Sequence, residues 1–216
     1  AEEKIINIKD VTGSNALITL YDSFTNRYTF KISVEGEEKE VTRGELMTYV
    51  RMPDAELRAA AYRELYRVFG QDGNILGQMY QTVVRDWRNE NIGLRHYASP
   101  ISARNLGNDI PDEVVDTLLE VCQKNAPIFQ RFFKLKARLL KMERLRRYDI
   151  YAPIAASSKE FSLGHGVELI MDAFDSFDPR FASLAMQVIN EKHVDSEVRK
   201  GKRSGAFCAT INPELT

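Results

Sequence analysis

Hydrophobic positions recur along most of this chain at intervals of three and four, the period of a helix, and in one stretch at an interval of two. From Ser14 to Thr25 the residues Ala16, Leu17, Leu20, Tyr21 and Phe24 follow helical spacing, with Ser14 as N-cap. Tyr28, Phe30, Ile32 and Val34 then alternate, Glu35-Gly36 supplies a turn, and a polar strand from Glu38 to Val41 returns, so a β-hairpin is predicted. Thr42 followed three residues on by Glu45 is a capping box and predicts a short helix through Tyr49.

Pro53, Asp54 and Glu56 make a helix start, with proline supplying the first-turn φ and the carboxylates facing the helix dipole. Leu57, Ala61, Leu65, Phe69, Leu76, Tyr80, Val83 and Trp87 keep one face for about eight turns, and a kink or break is expected near Asp72, between Gly70 and Gly73. Residues 99 to 110 read as a linker with a short helix, and Pro111-Asp112-Glu113 repeats the start signature. Val115, Leu118, Leu119, Cys122 and Ala126 line the next helix, which Pro127 is expected to kink or restart. Residues 131 to 147 read as a basic helix whose core stripe is Phe129, Phe132, Phe133, Leu139 and Leu140, with Arg131, Lys134, Lys136, Arg138, Lys141, Arg144, Arg146 and Arg147 as its solvated flank. Tyr148 to Pro153 reads as extended, and two helices follow over about 164–176 and 179–193, the second opened by Asp178-Pro179.

The pattern changes at Val198-Arg199-Lys200-Gly201-Lys202-Arg203-Ser204-Gly205-Ala206-Phe207-Cys208, where a glycine-hinged basic loop runs into a strand-like segment, 206–211, closed by Asn212-Pro213. Glycine amides beside cations could cradle a phosphate. The order is that of no P-loop, because a lysine and an arginine lie between the two glycines and a strand follows instead of preceding. The fold class expected is therefore mainly α: a multi-helix lobe with a small β-hairpin and the first strand of an unfinished sheet.

Composition narrows the picture without adding chemistry. With 216 residues, 44% apolar and 28% charged, the chain reads as a globular protein large enough for a sizeable core. A formal net charge of -1 exerts no global pull on nucleic acid or acidic membrane. No apolar run approaches the eighteen or so residues of a membrane helix, and the opening Ala1-Glu2-Glu3-Lys4 reads as an internal start, not a secretory leader. Two cysteines, Cys122 and Cys208, are too few for a disulfide framework and fit a reducing compartment. The three histidines, His96, His165 and His193, form no HExxH pair, and no nucleophile elbow or dinucleotide fingerprint occurs.

The order of segments is informative where single motifs are not. "LYDSFTNRYTFKISVEGEEKEVTRGEL", "MPDAELRAAAYREL", "SPISARNLGNDIPDEVVDTLLEVC", "RRYDIYAP" and "VRKGKRSGAFC" follow one another as in oligoendopeptidase F, and the chain resembles that family of thimet-oligopeptidase-like zinc metallopeptidases over nearly all its length. The resemblance implies that residues 1–98 belong to an N-terminal helical domain and 99–216 begin a catalytic domain whose HExxH helix, with a glutamate as third zinc ligand, lies farther downstream. It implies zinc in the full-length enzyme and none on this chain, no catalytic or metal-binding residue within it, and oligopeptides as substrates in the cytoplasm. The strand after the glycine-rich loop would border the substrate cleft, with Gly205, Ala206, Phe207 and Cys208 pairing with an extended peptide and Arg203 meeting a carbonyl or carboxylate. Nucleic acid and membrane are not expected partners, while self-association through a face left open at the chain's end is. The alternative from the residues alone is a non-enzymatic helical module that binds nucleic acid or an acidic partner through the basic helix 131–147 and the loop 199–203.

Overall fold

The computed structural model describes residues 2–154, 161–202 and 205–208. Their contacts divide into two compact units, one within 1–154 with the residues from 200 onward, the other within 155–199. Nine α-helices and one two-stranded sheet are present among the described residues, a mainly α architecture as expected.

In the larger unit, helices α1 (Glu2–Thr12) and α2 (Ser14–Thr25) precede the hairpin strands β1 (Phe30–Val34) and β2 (Glu37–Val41). No helix was predicted over α1, and Gly13, not Ser14, occupies the N-cap of α2. The strands are antiparallel with Phe30 opposite Val41 and Val34 opposite Glu37. Glu35 and Gly36 between them have φ of 55° and 87°, so both central residues of the turn are left-handed, which matches the twist of the flanking strands. Helix α3 (Arg43–Tyr49) starts at the predicted capping box: Glu45 N–H donates to Thr42 Oγ1 at 3.3 Å and Thr42 N–H to Glu45 Oε2 at 2.7 Å.

Helices α4 (Ala55–Gln71) and α5 (Gly73–Arg88) separate at Asp72, where the paired glycines predicted a break. Asp54, not Pro53, begins α4: its Oδ1 accepts from the N–H groups of Glu56 and Leu57 at 2.8 and 3.3 Å. A π-helical segment, Asn89–Leu94, prolongs α5. The core forms where these elements meet, from Phe30, Ile32, Val41, Leu46, Val50, Ala61 and Val68. Burying each large apolar side chain there contributes roughly 1.5–3 kcal/mol. The long apolar stripe is covered unevenly: Leu57, Ala61, Leu65 and Phe69 of α4 are buried or half-buried, whereas on α5 Leu76 and Val83 are half-buried and Tyr80 and Trp87 exposed.

Helix α6 (Pro100–Gly107) and helix α7 (Asp112–Leu139) complete the unit with a 3-10 turn at Arg147–Asp149. α7 runs unbroken through Pro127. Proline removes one hydrogen bond, to the carbonyl of Gln123, and Gln123 is exposed to solvent. Three expectations fail here. The basic helix ends at Leu139, not 147, because Lys141 turns left-handed (φ 56°) while its N–H donates to Arg138 O at 3.0 Å and that of Met142 to Ala137 O at 2.9 Å, closing the carbonyl end. Its expected core stripe is mostly uncovered, with Phe129, Phe132 and Leu139 exposed and Phe133 and Leu140 half-buried. Tyr148 to Pro153 is not extended from its start, since the 3-10 turn gathers Arg146 N–H onto Asp149 Oδ2 at 2.9 Å.

The turn is held by one buried ion pair. Arg58 Nη2 and Nε donate to Asp149 Oδ1 at 2.8 and 3.3 Å, and Arg58 Nη1 donates to the carbonyls of Met52 and Pro53 at 2.8 and 2.6 Å. The two side chains are 2% and 0% exposed. Lys136 Nζ, at the end of α7, donates to Ile150 O at 2.6 Å and so reaches the same turn.

The smaller unit holds α8 (Leu163–Phe177), capped by Ser162, and α9 (Pro179–Asn190), capped by Asp178. α9 stops short of the expected His193 because Lys192 is left-handed (φ 62°) and His193 N–H turns back to Val188 O at 3.0 Å.

Two outcomes follow from these contacts. Replacing Asp149 with alanine, or Arg58 with methionine, leaves a buried charge without its partner and should lower unfolding free energy by about 3–5 kcal/mol, whereas the combined change should recover much of the loss; urea unfolding of all three measures it. Glu45 is held below the ordinary carboxylate range by the Thr42 amide and hydroxyl, and Glu64 by the Arg67 guanidinium that faces it. A depressed pKa contributes stability above the unfolded value, about 4.3 for glutamate, and the contribution is lost as pH falls through the folded value. The urea midpoint should therefore drop below about pH 4.3, and Glu45→Gln should flatten that drop while lowering the midpoint at neutral pH.

Candidate functional site

The glycine-hinged loop is the segment to which the resemblance assigned substrate contact. Asp195 holds its first cation: Arg199 Nη1 and Nη2 donate to Asp195 Oδ1 and Oδ2 at 2.8 and 2.7 Å. Two parallel charge-assisted bonds of this kind are geometrically specific. Gly201 and Gly205 adopt φ of +80° and +106°, conformations that L side chains rarely take, so both glycines are required by the backbone path. A Cβ at Gly205 would meet no atom within 4 Å; the constraint is on backbone shape, not on space.

Ala206, Phe207 and Cys208 follow as consecutive exposed residues, Phe207 at 75% exposure and Cys208 as a free thiol. None of the three lies in a strand among the described residues, and 209–211, the rest of the expected strand, fall outside them. Arg203 also falls outside the described residues. Gly205 through Cys208 thus form one open segment with the Phe207 ring uncovered.

The other sequence candidates are dispersed. His165 Nδ1 lies 3.3 Å from Glu168 at the start of α8, with its ring stacked on Phe161, and His193 Nδ1 lies 3.8 Å from Glu191 after α9. His96 sits in a left-handed turn after the π-helical segment. Among the described residues no three of His, Cys, Asp and Glu come together as a zinc centre's donor set would. Cys122 is exposed on α7. The basic cations do not form one continuous helical face: Lys136 is turned inward, Arg146 and Arg147 lie over the Tyr148 and Tyr151 rings at 5.8 and 5.6 Å, and Arg199 is neutralised by Asp195. Sequence reasoning also missed the buried Arg58–Asp149 pair, because 91 residues separate its members and neither carries a local motif.

Comparison with known proteins agrees with the order of segments. Residues 48–215 match the model of Peptidase family M3. The group B oligopeptidase PepB of Streptococcus agalactiae is 27% identical over 175 residues, covering 81% of this chain and 29% of that protein. The chromosomal oligoendopeptidase F of Lactococcus lactis subsp. cremoris is 27% identical over 188 residues, covering 87% of this chain and 31% of that protein. The chain thus spans about three tenths of the length of these curated relatives. Among solved structures, PZ peptidase A with an inhibitor superposes with a TM-score of 0.75 at 22% identity over 92% of this chain and 35% of that one. Oligoendopeptidase F from Enterococcus faecium does so with a TM-score of 0.56 at 22% identity, over 83% and 41%. These two likenesses establish a shared fold. The family match extends over more than half of the chain, and the chain accordingly belongs to Peptidase family M3.

Proposed function

We propose that this chain is part of a zinc-dependent oligopeptidase that hydrolyses peptide bonds in short peptides in the cytoplasm. The observation that carries the reading is the match of residues 48–215 to Peptidase family M3, supported by oligoendopeptidase relatives at 27% identity. In this reading residues 1–98 form a helical lobe and 99–216 begin the catalytic domain. Gly205, Ala206, Phe207 and Cys208 present main chain to an extended peptide, and Arg203 meets its carbonyl or carboxylate oxygens.

Zinc would polarise the scissile carbonyl and activate water in such an enzyme. No residue of this chain is assigned to that task, and the chain alone is expected to bind no zinc and cleave nothing. What its own residues contribute is position: the two left-handed glycines set the path of the loop, and the open segment after them offers amide and carbonyl groups to a substrate strand. Nucleic acid and membrane have no role in this reading; among the described residues no helix is long and apolar enough to cross a membrane. The exposed apolar residues of α5 and α7 make self-association of the isolated chain part of the proposal.

Two measurements test it. Metal analysis and a quenched fluorescent peptide should find no stoichiometric zinc and no cleavage with the 216-residue chain, and both with the full-length gene product; zinc-dependent cleavage by the chain alone would overturn the division of labour. Gly205→Val in the full-length enzyme forces a β-branched residue into a left-handed conformation, a strain of about 1–3 kcal/mol, and should lower kcat/KM for peptides by roughly tenfold. Unchanged kinetics would remove the segment from the cleft.

A further inference from the structure

The hairpin and the start of α4 leave a groove that the peptidase reading does not use. It has a volume of about 650 Å³ and lies between β1 and its turn, the residues that follow α3, and the first turns of α4. That size is within the range of sites that take small ligands or peptide side chains. Val34, Tyr49, Leu57 and Ala60 give it an apolar wall, on which Met52 stands 40% exposed.

A second wall is main chain. β1 pairs with β2 on one edge only. Lys31 N–H points away from β2, because it donates to Glu64 Oε1 at 2.9 Å. Main-chain groups two residues apart along a strand point the same way, so the N–H and C=O of Ser33 are directed to the same free edge, and Ser33 lines the groove. Glu64 caps the edge at Lys31; among the described residues no side chain caps it at Ser33. An uncapped donor and acceptor on a strand edge, beside an apolar wall, is the arrangement by which proteins add an extended peptide as an extra strand.

The rim selects the charge of that peptide. Glu35, Asp54 and Glu56 line the groove against a single cation, Arg63. Successive side chains of an extended segment alternate in direction, so one can lie on the apolar wall while its neighbour reaches the carboxylates.

We propose that this groove docks an extended peptide segment that pairs with the free edge of β1 at Ser33 and carries a lysine or arginine next to an apolar residue. The site is independent of the peptidase reading, since its occupancy is read as binding to this chain without turnover or metal.

The test is a fluorescence polarisation titration of the 216-residue chain with a fluorescein-labelled, end-capped octapeptide of alternating valine and threonine that bears one central arginine. Saturable binding is expected, weakened about tenfold or more when glutamate replaces the arginine and when one backbone nitrogen in an N-methyl scan is the one that bonds Ser33. On the protein, Glu56→Lys should cost the arginine peptide a similar factor and improve binding of the glutamate peptide, and Ala60→Phe should fill the groove and abolish both. The N-methyl scan keeps the test independent of how any variant folds. Equal affinity for the arginine and glutamate peptides, indifference to N-methylation at every position, or no saturable binding would each overturn the proposal.

Discussion

The buried pairing of Arg58 with Asp149 is the constraint on which the arrangement of the larger unit depends. Taking a guanidinium and a carboxylate out of water costs several kcal/mol for each ion, and the cost is offset only when their remaining hydrogen-bonding groups find partners. They do: Arg58 also satisfies two carbonyls of the turn before α4, Asp149 also accepts the amide of Arg146, and no buried side-chain polar atom among the described residues lacks a partner. A satisfied pair of this kind admits one geometry. It brings the turn after α7 onto the start of α4, and Lys136 then ties the end of α7 to the same point through Ile150 O.

That geometry also explains how a modest core supports the unit. The cluster of Phe30, Ile32, Val41, Leu46, Val50, Ala61 and Val68 belongs to the hairpin, α3 and α4. α7 contributes none of it. The long helix is instead held at its two ends by polar contacts: at its start Asp112 accepts from Ser102 Oγ at 2.5 Å and from the buried Asn105 Nδ2 at 2.8 Å, and at its end Lys136 donates to the turn. Most of its apolar residues between those anchors stay exposed.

Several helix starts were legible because their chemistry is local: Thr42 with Glu45, Asp178 with Pro179, and the glycines flanking Asp72 each act within one turn and stand where the pattern placed them, whereas α1 was not foreseen and α2 is capped by Gly13 instead of Ser14. Some helix ends were not: α2 and α3 end at Thr25 and Tyr49 as the pattern placed them, but α6, α7 and α9 stop just before Asp109, Lys141 and Lys192, all left-handed and none glycine, with amides turned back onto the carbonyls before them. A terminus built from backbone hydrogen bonds at a residue with no conformational signature leaves no mark in the sequence. The open loop was legible in part: its glycines announced their left-handed turns, while the strand expected at 206–208 is not formed there.

The sequence by itself determined the helical class, the register of the hairpin, the break at Asp72 and the family, because periodicity, turn chemistry and the order of segments are properties of neighbouring residues. Only the tertiary structure decided which apolar faces are covered, that Arg58 and Lys136 are buried cations while others on the same helices are solvated, and that Ser33 opens onto an acid-rimmed groove. Each of those outcomes depends on what lies opposite a residue in space: a charge is buried only where a distant carboxylate or carbonyl meets it, and an edge is open only where no side chain reaches it.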